Sequence, residues 1–173
     1  MHQLLLLRHA KSSSDDAKLA DRDRPLTERG RRAAAAMRQA MQQLGLAPDL
    51  VLVSPARRTL QTLGALEPWD DTPLREQIET LYLAGPTQLV GVLRDVPETV
   101  RSVLLIGHNP GMHDLAQALI AGAQPTDAAR RLAAGYPTGA LAEFAVVGPW
   151  LRLGPGGGRL TRFITPRELE RTV

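Results

Sequence analysis

The chain contains no cysteine. That excludes disulfides, thiolate metal sites and every mechanism built on a cysteine nucleophile. Aromatic residues make up only 3%, so the core has to be built from Leu, Val, Ala and Ile. Few rings remain on which nucleic-acid bases could stack, which argues against a nucleic-acid partner. No stretch approaches the roughly 20 apolar residues needed to cross a bilayer, and the apolar run at residues 4–7 is far shorter than a signal-peptide core. A soluble, cytoplasmic protein with no membrane partner is expected. A Gly-x4-Gly-Lys-Ser/Thr phosphate loop is also missing. Formal net charge is only +3, an excess that suits an anionic ligand but is common on ordinary surfaces.

The residues that are present fit one compact unit. At 173 residues, 43% apolar and 23% charged, the chain has the size and composition of a single globular domain over 1–173. Residues 4–7, four consecutive leucines, read as a strand buried on both faces of a parallel sheet. Residues 50–53 and 102–106 repeat the pattern. Between the first two runs, residues 12–25 are polar and aperiodic, a loop closed by Pro25 and by Thr27 as a helix N-cap. Ala33, Met37, Ala40, Met41 and Leu44 then recur at helical spacing, with Gly45 and Pro48 as the stop. Helices come after the second and third runs, carrying Leu60, Leu63 and Leu66 and then Leu115, Leu119 and Ile120. Residues 78–83 are compatible with a short strand or a loop, and 87–93 with a helix. Residues 140–147 and 159–164 read as strands of a hairpin around the glycine-rich 154–158 segment. The expected fold is α/β, a three-layer sandwich with a mostly parallel sheet, helices on both faces and a C-terminal antiparallel hairpin.

The three buried strands exit into charged or imidazole side chains: Arg8 and His9, then Arg57 and Arg58, then His108. In an open α/β sheet the ligand crevice lies beyond the carboxyl ends of the strands, so the exits converge on Arg8, His9, Arg57 and His108. Two guanidinium forks match phosphate oxygens and stay charged near neutral pH. A histidine among them is driven toward the neutral imidazole, with a ring nitrogen free to attack phosphorus. Guanidiniums and a second imidazole can hold the nonbridging oxygens without a metal or other cofactor. An arginine pair at a helix N-terminus opposes the helix dipole, and a bound anion would relieve it. Asp21-x-Asp23 resembles an aspartyl-nucleophile motif only superficially, because no buried strand precedes it. His108 and His113 are five residues apart across Pro110 with no nearby acidic third ligand, a poor metal pair. Ser12, Ser13, Ser14 and Lys11 are either loop solubilisers or phosphate donors.

These residues resemble the histidine phosphatase superfamily, the phosphoglycerate mutase-like group, whose signature after the first strand is Arg-His-Gly/Ala; the chain has Arg8-His9-Ala10. The resemblance runs through 23–30 (DRPLTERG), 54–62 (SPARRTLQT), 81–84 (LYLA) and 107–111 (GHNPG). Arg-His-Ala-Lys-Ser, the short chain and the Gly-His-Asn-Pro-Gly turn are similar to the SixA-like phosphohistidine phosphatases. The resemblance implies that His9 is transiently phosphorylated, that Arg8 and Arg57 clamp the phosphate, and that His108 stabilises the transition state. It further implies a monomeric, metal-independent hydrolase acting on phosphohistidine in a protein. The alternatives are a small-molecule phosphomonoesterase of the same fold and a non-catalytic phosphate-binding module. Relatives acting on sugar or alkyl phosphates use an acid between the second and third strands, for which Glu76 and Glu79 are the candidates here. A phosphorylated imidazole needs less help, since it can take a proton on its remote nitrogen and leave as neutral imidazole.

Overall fold

The computed structural model describes residues 1–171. Its strands are β1 (His2–Arg8), β2 (Leu50–Val53), β3 (Leu74–Gln77), β4 (Ser102–Gly107), β5 (Leu141–Val146) and β6 (Gly158–Ile164). Its helices are α1 (Glu28–Gln43), α2 (Arg57–Leu66), α3 (Pro86–Arg94), α4 (Gly111–Leu119), α5 (Asp127–Ala134) and α6 (Pro166–Arg171). The strands form one six-stranded sheet in the order β3-β2-β4-β1-β5-β6. The four strands from β3 to β1 are parallel, and β5 and β6 add antiparallel at one side.

The leucine run explains the layers. Alternate side chains of a strand face opposite sides of the sheet. Leu4 and Leu6, with Leu52 and Leu105, pack in one core with Leu89 of α3, Leu115 of α4 and Leu132 of α5. Leu5 and Leu7, with Val51, Val53 and Ile106, pack in the other with Met37 of α1 and Leu63 of α2. A strand covered on both faces reads as a continuous apolar run, as this one does. Thr27 caps α1, its hydroxyl accepting from the Gly30 amide at 3.0 Å.

Several elements differ from the sequence-based expectation. Residues 78–83 take the loop alternative, with a 3₁₀ turn at Glu79–Leu81, and an unexpected strand lies just before them as β3, whose side chains are all exposed. An edge strand held by backbone pairing alone leaves no apolar signature. The polar loop at 12–25 holds a 3₁₀ turn at Asp21–Asp23 and an isolated bridge between Ser12 and Leu26. Helices α5 and α6 have no counterpart in the sequence pattern, because α5 buries only Leu132 and α6 buries no residue. The hairpin joins β5 and β6 as expected, with a further 3₁₀ turn, Trp150–Arg152, in its connection.

Register decides where the strands end relative to one another. Leu7 pairs with Ile106, and Ile106 with Val53. The three chains therefore leave the sheet level with each other, at Arg8-His9, Gly107-His108 and Ser54. Two close approaches fix the surrounding loops. A Cβ on Gly30 would lie 2.2 Å from the Lys11 carbonyl oxygen, and one on Gly111 would lie 1.9 Å from that of Ala84. Only glycine allows α1 to abut the segment after the nucleophile candidate and α4 to abut the 81–84 turn.

Candidate active site

Beyond these strand ends lies a cavity of about 390 Å³ lined by Arg8, His9, Arg58 and His108, together with Asp21 and Arg24 of the loop. Lys11, Ser12, Ser14, Leu83, Asn109 and Thr138 complete its wall. Three of the four residues expected here, Arg8, His9 and His108, thus meet in one place. The His9 and His108 ring centroids are 5.4 Å apart.

The fourth, Arg57, does not join them. It is exposed, and its guanidinium reaches the Asp23 carbonyl at 3.3 Å. Its neighbour Arg58 is 2% exposed and lines the cavity. The reason is helical phase. The buried face of α2 includes Arg58, Thr62 and Leu66, residues spaced by four, and Arg57 sits about 100° away from that row. That spacing was available in the sequence as a signal for Arg58.

Each functional side chain is held by neighbours of opposite hydrogen-bonding character. Arg8 Nη1 donates to the Tyr136 carbonyl at 2.9 Å. His9 Nδ1 lies 2.8 Å from the Ala10 carbonyl oxygen. A carbonyl can only accept, so this nitrogen carries the proton and, in the neutral ring, the lone pair is on Nε2. The Ala10 amide donates to Thr62 Oγ1 at 3.0 Å, which ties the segment after His9 to α2. Arg58 donates through Nη1 to the Asp21 carbonyl (2.8 Å), and through Nη2 to Asp21 Oδ2 (3.1 Å) and His108 Nδ1 (3.3 Å). Because a guanidinium never accepts, His108 Nδ1 is the acceptor. Its Nε2–H then donates to Ser54 Oγ at 2.7 Å.

Charge in the cavity is unbalanced. Arg8, Arg24, Arg58 and Lys11 face a single carboxylate, Asp21. Nε of Arg8 and of Arg58 is buried without a hydrogen-bond partner among the described residues. Buried cations with unmet donors are costly unless an anion compensates them, so the site suits a multiply charged oxyanion. Burial, followed by the positive charge of Arg58, presses the Arg8 guanidinium below its usual value. Burial is also the main cause that brings His9 down to about 4, with Arg58, Arg8 and Arg24 adding to it. His108 is brought down to about 3 by burial and then by Arg58. Both rings are neutral at pH 7.

Those two values imply a stability test. An unfolded histidine titrates near 6.5, so below that pH the unfolded chain binds protons that the folded chain refuses. Folding stability is therefore expected to fall as pH drops from about 6.5 to 4, by up to about 1.4 kcal/mol per pH unit for each ring. Urea midpoints measured at pH 7 and pH 5 check this. The drop should shrink in His108→Asn, and an unchanged drop would show that the His108 ring is not a source.

Asp21 is a site residue that sequence reasoning misses. Besides Arg58, it accepts from the Tyr82 hydroxyl in a short hydrogen bond and from Arg24 Nη2 at 3.0 Å. Foremost the Tyr82 hydroxyl, and then Arg24 and Arg58, hold this carboxyl far below the usual carboxylate range. No local pattern marks it, since it reaches the site only through a folded loop. Glu76 and Glu79, the acids considered from sequence, do not line the cavity. Glu76 lies on exposed β3 beside a separate hollow with Leu50 and Val92, and Glu79 pairs with Arg22. His113 is turned away from His108, its Nε2 bonded to the Leu132 carbonyl at 2.7 Å.

The parallel sheet with its antiparallel margin agrees with the comparisons to known proteins. Residues 4–78 match the model of the histidine phosphatase superfamily (branch 1). An uncharacterized protein of Mycobacterium tuberculosis is 37% identical over 163 residues, which cover 93% of this chain and all of that one. A SixA-type protein from Nakamurella multipartitia superposes with a TM-score of 0.84 at 30% identity, covering 95% of this chain and 96% of its own. The protein histidine phosphatase SixA solved with tungstate gives a TM-score of 0.78 at 25% identity, covering 96% and 99%. The chain belongs to the histidine phosphatase superfamily and, within it, to the SixA-like branch.

Proposed function

We propose that this protein is a phosphohistidine phosphatase that works through a phosphorylated His9 and needs no metal. The observation that carries the reading is the His9 ring, neutral and with its proton pinned on Nδ1, so that an Nε2 lone pair is available in a cavity of net positive charge. In the first step Nε2 of His9 forms a bond to phosphorus while the bond from phosphorus to the substrate nitrogen breaks. Arg8 and Arg58 neutralise the nonbridging oxygens as they gain charge. In the second step a water oxygen bonds to phosphorus, the bond to His9 breaks, and orthophosphate leaves with the water's protons shared between it and solvent.

The leaving group is the point on which substrate class turns. An alkoxide needs a proton donor, and the carboxylate of this cavity, Asp21, is held ionised by Tyr82, Arg24 and Arg58. His108 has its own proton engaged with Ser54. A phosphorylated imidazole protonated on its remote nitrogen departs neutral and needs neither. Leu83, 54% exposed, adds one apolar wall to an otherwise polar cavity. That wall suits the face of a ring. The protein histidine phosphatase SixA is among the similar folds, which supports the same substrate class.

The test compares kcat/KM for a phosphohistidine peptide with that for an alkyl phosphate monoester. A preference for the peptide of at least about a hundredfold is expected, the scale of general-acid assistance that the monoester would lack. Comparable turnover would instead favour a small-molecule phosphomonoesterase.

A further inference from the structure

The active-site cavity adjoins a second and larger depression. A groove of about 730 Å³ runs between the first turn of α1, the end of α5 and the start of α6. Lys11 and Thr138 line both it and the active-site cavity. The two share a fixed backbone as well. Thr27 N donates to the Lys11 carbonyl at 2.9 Å, and Gly139 N donates to the His9 carbonyl at 2.9 Å. The groove is therefore positioned by the same main-chain bonds that position the nucleophile candidate.

Its charge is asymmetric. Lys11, Arg29 and Arg167 line it, are exposed, and form no ion pair among the described residues. Arg131 is already paired with Glu168 and lies over the Phe163 ring. Glu170 is the other acid of the lining. The phosphoryl group and an imidazole ring fit within a cavity the size of the first. The groove is in the range that holds ligands of several hundred daltons, enough for a few residues of polypeptide.

We propose that this groove is a docking site for an acidic polypeptide segment flanking the phosphorylated residue of the substrate protein. The inference rests on the phosphohistidine phosphatase reading and narrows it to partners carrying Asp or Glu beside the phosphoryl group. Lys11 bridges the two sites, while Arg29 and Arg167 act only on the flanking chain. Their attraction is that of solvent-exposed charges, weak singly, additive over several pairs and screened by salt.

The experiment uses the parent chain and the double variant Arg29→Glu/Arg167→Glu with three substrates: phosphoramidate, a phosphohistidine peptide flanked by Glu, and the same peptide flanked by Lys. The parent is expected to favour the Glu-flanked peptide by about tenfold in kcat/KM at low salt, with the ratio shrinking as salt rises. In the double variant the preference should vanish or invert, while phosphoramidate hydrolysis and Tm stay within about twofold and a few degrees of the parent. Equal turnover of the two peptides by the parent overturns the docking site, as does a preference that survives in the variant. An association state that changes with the double substitution would assign this face to a second copy of the chain instead. Failure of the parent on phosphoramidate and on both peptides would overturn the phosphatase reading itself, an outcome separable from the loss of flank preference alone.

Discussion

His9→Ala is expected to lower turnover of phosphohistidine by at least about 10⁴-fold, the scale seen when a covalent nucleophile is removed. The parent incubated with phosphoramidate should also acquire phosphate that is labile in acid and stable in alkali, and the variant should not. The physical basis is the absence of a substitute. His108 is the other imidazole of the cavity, and both its nitrogens are engaged, one by Arg58 and one by Ser54. A water directed at the substrate would lack an adjacent base, because Asp21 is fully committed to Arg58, Arg24 and Tyr82. Retention of the label in His9→Ala would remove His9 as the nucleophile.

Arg58→Ala and Arg57→Ala, adjacent in sequence, are expected to differ by two orders of magnitude or more. Arg58 is buried in the cavity wall and offers a planar fork to a phosphoryl group. Losing one such donor to a developing oxyanion typically costs about 10²–10³ in kcat. The loss should exceed that here, because Arg58 also joins Asp21 to His108. Without it the acidic side chain faces the substrate dianion less well neutralised. Arg57 is exposed and, among the described residues, its side chain bonds only a backbone carbonyl, so its removal should change kcat/KM by no more than about twofold. Arg58→Lys separates charge from geometry: a compact ammonium restores the sign but not the bidentate fork, and an intermediate rate is expected. Circular dichroism and Tm on all three variants distinguish a lost contact from a lost fold. Equal rates for Arg57→Ala and Arg58→Ala would overturn the placement of Arg58 at the phosphoryl group.

The two acids considered from sequence, Glu76 and Glu79, illustrate how a reading by chain position can mislead. Both lie in the expected interval between strands, yet one lies on an exposed edge strand and the other is paired with Arg22. The acid that does face the crevice comes from a different segment, the 3₁₀ turn at Asp21–Asp23. Its chemical character also differs from that of a proton donor, because three neighbours stabilise its charge. Composition does not reveal that. It depends on a Tyr82 hydroxyl 61 residues away and on two guanidiniums that approach from other elements.

The layers of the fold and the ends of the central strands were legible in the order of the amino acids alone. Runs such as residues 4–7 and 50–53 are apolar on every side chain, which only burial on both faces of a sheet satisfies, and the residues just after such a run must lie at the sheet's edge. That placed Arg8, His9 and His108 beside one crevice from chain order alone. Long-range packing settled the rest. The phase of α2 chose Arg58 over Arg57, the register of β1, β2 and β4 set the imidazoles level, and the folded loop delivered Asp21. Alternation along a strand is a local property that each residue carries with it. The direction of a helix face, the closing of a loop and the charge state of a buried group depend on partners distant in the chain, and only the folded chain brings those partners together.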